Sequence, residues 1–166
     1  GPATVALENG TEPTRTHGTE FIARYRLEGL LVMATHAWTS STELDPDTRR
    51  RREVPLTPRH TASLNVMWER ERLGGAGLEA YWFGRQSLSD DPSLRASRPY
   101  VLIGGLARRR FGRFLAYLNV ENILDVRQQR EETMVLPRRR PDGRWLVDAW
   151  APLDGRVFNA GVRVSF

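Results

Sequence analysis

The feature that most constrains this chain is a hydrophobic period of two, sustained over long stretches. In "TEFIARYRL", Phe21, Ala23, Tyr25 and Leu27 fall on one side, with Glu20, Arg24 and Arg26 on the other. "TASLNVMWE" sets Ala62, Leu64, Val66 and Trp68 against Thr61, Ser63, Asn65, Met67 and Glu69. "GLEAYWFGR" sets Leu78, Ala80, Trp82 and Gly84 against Glu79, Tyr81, Phe83 and Arg85. The closing stretch, "VFNAGVRVSF", sets Phe158, Ala160, Val162, Val164 and Phe166 against Val157, Asn159, Gly161, Arg163 and Ser165. Neighbouring side chains of a strand point to opposite faces, so this is strand patterning, and no window carries a comparable helical stripe.

About eight strands are expected, at roughly 2–9, 15–27, 30–41, 58–70, 77–87, 98–109, 113–124 and 155–166, with ends uncertain by ~2–4 residues. The connections are unequal. "EG" (28–29), "ERLGGA" (71–76) and "RFG" (110–112) are tight turns containing glycine. The segments 41–57, 87–97 and 128–155 are long, polar and proline-rich. Only "GTEPT" (10–14) breaks the alternation of short and long. In an antiparallel up-and-down meander, the short turns then fall on one rim and the long loops on the other, as in membrane barrels.

A sandwich of two packed sheets also uses short alternating strands. Two features favour a barrel wall. Several expected strands run to ~10–13 residues, longer than the usual strand and matched to a tilted crossing of a bilayer. Aromatics also gather near strand ends, at Trp38, Trp68, Tyr81 to Phe83, Tyr100, Phe111, Phe114, Phe158 and Phe166, as in an interfacial girdle. No apolar run approaches the ~18 residues of a spanning helix; the longest is "LLVMA" (30–34). Strands that alternate between lipid and lumen keep a low mean hydropathy, so this bears on helices only.

The chain has no cysteine, which excludes a disulfide framework and thiolate metal ligation. It does not begin with Met and shows no secretory leader, so a fragment or a mature segment is expected. Net charge is +5, with the excess in arginine runs at 49–52, 108–110 and 138–140. Basic runs suit nucleic acid, anionic head groups or simple solvation. Arg108 to Arg110 flank a short turn, where anchoring to head groups is the membrane reading.

The segment "YLNVENILDVRQQR" (117–130) resembles the signature near the end of TonB-dependent outer-membrane receptors, through Asn119, Glu121, Asn122, Leu124 and Asp125 on a penultimate strand. "GRVFNAGVRVSF" resembles the final strand of that family, which ends in Phe. "THGTEFIARYRL" resembles its Gly-x-Glu strand through Gly18 and Glu20. "VPLTPRHTASL" is similar to its Pro-x-x-Pro-Arg-His strand start through Pro55, Pro58, Arg59 and His60. The likeness runs over nearly the whole chain and rests on the ordered set rather than on any single motif.

The resemblance implies the C-terminal portion, residues 1–166, of a larger transmembrane β-barrel of about 22 strands closed around a plug. It implies import of a scarce ligand, such as an iron–siderophore complex, across a Gram-negative outer membrane. The partners implied are outer-membrane lipid, the plug and the remaining strands, TonB acting through that missing part, and the barrel assembly machinery; the small-molecule ligand is not named. Phe158, Val162, Val164 and Phe166 would carry the C-terminal assembly signal and face lipid. Arg24, Arg26, Glu79, Arg85, Asn119, Glu121 and Arg163 would face the lumen.

Other motifs point elsewhere less well. Gly75-x-Gly77-x-x-Ala80 matches a dinucleotide fingerprint, but an alternating strand follows where a helix is required. "NGT" (9–11) reads as a turn before it reads as a glycosylation sequon. His17, His36 and His60 are far apart in sequence with no metal-ligand spacing, and His36, alternating with Ala34 and Trp38, joins the aromatic belt. Glu43, Asp45 and Asp47, and the pair Asp90 and Asp91, read as solvated loop tips rather than a cation site. No catalytic set has useful spacing, so no enzyme, cofactor or metal is expected.

Three functional readings follow. The first is the receptor segment. The second is a soluble basic all-β module that binds nucleic acid or another polyanion. The third is a small self-contained outer-membrane barrel. A segment of a larger barrel is expected to be an open, curved sheet, because closure at eight strands changes the lumen.

Overall fold

The computed structural model describes residues 12–45, 48–88, 95–131, 134–139, 143–147 and 149–166. Their elements are β1 (Arg15–Leu27), β2 (Leu30–Leu44), β3 (Arg51–Glu53), β4 (His60–Arg70), β5 (Gly74–Phe83), β6 (Tyr100–Phe111), β7 (Phe114–Glu121), α1 (Gln128–Glu131), β8 (Val135–Arg139), β9 (Trp145–Val147) and β10 (Val157–Val164). The strand expected at 2–9 lies outside the described residues, as do Asn9, Asp47, Asp90, Asp91 and Arg140.

The fold is all-β and antiparallel. Seven strands lie in the order β1-β2-β4-β5-β6-β7-β10, and β3 pairs with β2 as an eighth. The order is linear, so among the described residues the sheet is open, with β1 and β10 as its two edges. Each strand of the sheet packs on its ladder neighbours.

The short turns do share one rim. Leu27 pairs with Leu30 across Glu28 and Gly29, and Gly29 takes φ 72°, where other L residues are strained. Phe111 pairs with Phe114 across Gly112 and Arg113. Gly112 has φ 58° at the first central position, where a II′ hairpin wants glycine. The third short turn occupies 71–73, so the tight turn is three residues shorter than "ERLGGA" implied. Gly74 to Gly77 belong to β5 instead, because the backbone of Gly74 lies against that of Arg108 and leaves no room for a side chain.

Several expected boundaries are corrected. β5 ends at Phe83, so Arg85 lies beyond the strand and not on its face. β7 ends at Glu121, so Asn122, Leu124 and Asp125 follow the strand rather than sit on it. The stretch 41–57 is not all loop: β2 continues to Leu44, and Arg51 to Glu53 fold back on it. The stretch 128–155 contains a helical turn and the β8–β9 hairpin, which takes in Arg138 and Arg139. The last two departures share one cause. A hairpin projecting beyond the sheet body has no buried face, so nothing imposes a strict apolar period on it.

Candidate functional site

Strand register assigns every sheet residue to one of two faces. One row reads Phe21, His36, Ala62, Trp82 and Val101 across β1, β2, β4, β5 and β6. A second reads Val66, Leu78, Gly105, Val120 and Phe158 across β4 to β10. These residues share a face with Leu27, Leu64, Trp68, Phe111, Phe114 and Leu118, and it is apolar from edge to edge. Its charged strand residues are Arg15, Arg51, Glu53, Arg70 and Arg109, all at the rims.

This face is uncovered. Phe158 is 67% exposed and Val162 65%, and Phe166 is fully exposed. Among the described residues the buried hydrophobic side chains are Leu88 and Trp150, both in loops. The sheet thus has no core of its own. A fully buried Leu, Val or Phe is worth about 1.5–3 kcal/mol over an exposed one, so an apolar face of this extent left in water forgoes most of its driving force for folding. Isolated exposed apolar residues are ordinary; a contiguous face of them marks a surface built for a partner or a membrane.

The opposite face is mixed. It carries Arg24, Arg26, Glu79, Asn119, Glu121 and Arg163, so six of the residues expected to share a face do so, and Arg85 does not. It also carries Ile22, Met33 and Met67, all exposed. Three of its glycines are each overlaid by the side chain opposite in the ladder. Met67 lies over Gly77, where a Cβ would sit 3.3 Å from the sulfur. Glu79 lies over Gly104, with Oε1 2.7 Å from such a Cβ. Tyr117 lies over Gly161 in the same way. The Tyr81 hydroxyl donates to Glu79 Oε2 at 3.1 Å, and Asn119 Nδ2 donates to Glu121 Oε1 at 3.1 Å.

The motif after β7 roots the longest loop. Asn122 and Asp125 take φ 50° and 58°, a region that Asn and Asp enter more readily than most residues. The Asn122 side chain closes its own loop: Val126 N donates to Oδ1 and Nδ2 donates to Val126 O, each at 2.9 Å. Nδ2 also donates to Asp154 O at 3.2 Å. Asp125, only 8% exposed, accepts from Arg127 Nε at 2.9 Å and Nη2 at 2.8 Å and from Arg156 N at 3.2 Å, and Arg130 stands 2.5 Å from its other oxygen. Hydrogen bonding to Arg127 above all holds the Asp125 carboxyl below its ordinary range, with the Arg156 amide and the charge of Arg130 adding to it. Together these bonds tie the end of β7 to the start of β10. Leu124 takes no part in them and is exposed.

Above this root, two long loops pack on one another. Gln128, 2% exposed, accepts from Trp150 N at 2.8 Å and Ala151 N at 3.3 Å. Gln86 donates from Nε2 to Trp150 O at 3.3 Å, and its amide donates to Ser97 Oγ at 3.0 Å. Tyr100 stacks on Phe83 at 4.9 Å and tilts against Trp150 at 6.1 Å. A hollow of about 240 Å³ opens beside them, with Arg98, Tyr100, Leu124, Arg127 and Trp150 in its walls. Two aromatic rings and Leu124 make it suited to the apolar or aromatic part of a small ligand. The sequence pattern misses this hollow, because its parts come from segments far apart in the chain, two expected strands and the long stretch 128–155.

The acidic tip is spoken for. Glu43 and Asp45 pair with Arg52 at 2.9 and 3.2 Å, which leaves a loop strut rather than a cation site. The Gly75-x-Gly77 match is strand throughout. The histidines, in contrast, are not scattered. Register brings His36 and His60 to 3.3 Å, and His17 packs edge-on against Trp38 at 5.6 Å. No group of three or more His, Asp or Glu side chains gathers as a metal cluster among the described residues. No helix among them is long and apolar enough to cross a membrane, which leaves crossing by strands open. No family model matches the chain, and no curated protein matches it.

Proposed function

We propose that this chain is the C-terminal wall of a TonB-dependent outer-membrane receptor, a ligand-gated importer of a scarce small molecule such as an iron–siderophore complex. The observation that carries the reading is the open sheet with one uncovered apolar face, a mixed polar face and no core between layers. Hydrocarbon satisfies the first face and a wet, plugged lumen the second. The open edges fit as well. Unpaired N–H and C=O groups cost several kcal/mol each in lipid, so β1 and β10 require further strands of the same barrel.

On this reading Arg24, Arg26, Glu79, Asn119, Glu121 and Arg163 line the lumen and hydrogen-bond a plug or a passing ligand. The hollow beside Trp150 lies on the outer rim and contributes to ligand capture. The β10 edge, with Phe158, Val162, Val164 and Phe166, offers a strand for pairing by the assembly machinery. Coupling to TonB belongs to parts of the receptor outside these residues.

Partitioning tests the reading. Purified chain, and the natural open reading frame that contains it, should require detergent or lipid for a monodisperse state rich in β-structure. A chain that stays folded and monomeric in plain buffer, and binds polyanions with a steep salt dependence, would instead support the soluble basic module.

A further inference from the structure

The chain has three histidines, and all lie on the apolar face near the long-loop rim, on β1, β2 and β4. Phe21 stands opposite His36, and Trp38 stands opposite His60, so His36 and His60 are diagonal neighbours on adjacent strands. Their rings stack at 5.4 Å with 30° between planes, and His36 Nε2 lies 3.3 Å from His60 Nδ1. Both rings are exposed, and among the described residues each nitrogen of this contact has the other as its partner. The neighbouring cation, Arg59, is held by Glu53 and does not compete for the site.

A contact of this kind needs one nitrogen protonated and the other bare. The same spacing also matches one edge of a tetrahedral metal site. Zn–N bonds are about 2.0–2.1 Å, so two nitrogens 3.3 Å apart subtend about 105–110° at the metal, close to tetrahedral. We propose that His36 and His60 form a two-imidazole site for a borderline divalent transition metal such as Zn²⁺. Imidazole nitrogen is the ligand type these ions favour over Ca²⁺ or Mg²⁺. On binding, the donor ring carries its proton on its outer nitrogen and both facing lone pairs go to the metal, so no proton need leave a neutral pair. Water fills the remaining positions. The ion then bridges β2 and β4 at the rim. His17 takes no part, because its ring is committed to the face of Trp38. This site does not depend on the transport reading.

The test is a titration of untagged full chain in detergent micelles with ZnCl₂, followed by calorimetry and by the imidazole proton resonances. One ion per chain should bind, broadening or shifting His36 and His60 together and leaving His17 in place. His36→Ala and His60→Ala should each weaken binding at least about tenfold, equivalent to ~1.4 kcal/mol, while His17→Ala leaves it unchanged. His36→Gln and His60→Gln keep a polar side chain of similar reach and should lose the ion as well. Circular dichroism of each variant confirms that the sheet is retained. Absence of saturable binding overturns the proposal, as does binding that survives both substitutions or falls equally with His17→Ala.

Discussion

The hydroxyl end of the Tyr117 ring lies over Gly161, its cross-strand partner, so that a Cβ on Gly161 would sit 2.7 Å from the hydroxyl and 2.8 Å from two ring carbons. β10 is an edge strand with β7 as its neighbour in the sheet, so this contact helps hold the last strand in register. An aromatic laid over an edge glycine restores packing that the glycine forgoes. Gly161→Val should therefore displace the ring and cost about 1–3 kcal/mol, as overpacking does. Denaturant unfolding in detergent, with Tyr117 fluorescence as the local probe, checks this; a variant as stable as the parent would remove the contact from the account.

The two faces should differ sharply in their tolerance of charge. Leu78→Arg places a cation in the middle of the apolar face and should cost about 2–4 kcal/mol if that face meets lipid. Asn65→Lys, on the opposite face and paired across the ladder with Glu79, should change stability by no more than about 0.5 kcal/mol. Urea unfolding of vesicle-inserted protein measures both. Equal effects would argue that neither face is lipid-facing.

Asp125 sets the acid sensitivity of the loop root. Its carboxyl is held below the ordinary value of 3.8, chiefly by Arg127. The sign follows from linkage: a depressed carboxylate stabilises the folded state above its unfolded pKa, and that contribution fades as pH falls through the folded one. The root should thus stay closed through neutral and mildly acidic pH and open only in strong acid, below about 3.8. Asp125→Asn should open it at every pH. Hydrogen exchange at the Arg156 amide reports the opening, and unchanged protection in the variant would contradict the assignment.

Gln128 is the tie between the two arms of the longest loop, the connection from β7 to β10. Gln128→Leu keeps the volume but leaves the Trp150 and Ala151 amides without their acceptor, at about 1–3 kcal/mol for a buried unsatisfied group. Limited proteolysis should then cut within 122–156 faster while the sheet stays intact. Faster cleavage of the sheet as well would show that the loops brace the strands.

Alternation alone determined the fold class, seven of the ten strands of the described residues, the two rims and the division of Phe158, Ala160, Val162 and Val164 from Asn159, Gly161 and Arg163. It did so because a side-chain period of two has one regular backbone solution, and a slip of one residue would turn each strand inside out. Where no face is shared the pattern failed: at the β3 and β8–β9 hairpins, and at Arg85, which the period placed on a strand that had already ended. Only the tertiary structure decided which residues meet across strands. His36 and His60, Tyr117 and Gly161, and the two arms of the longest loop that meet at Gln128 and Trp150 are separated by tens of residues along the chain. Ladder register, not local spacing, brings the first two pairs together, and loop packing brings together the third.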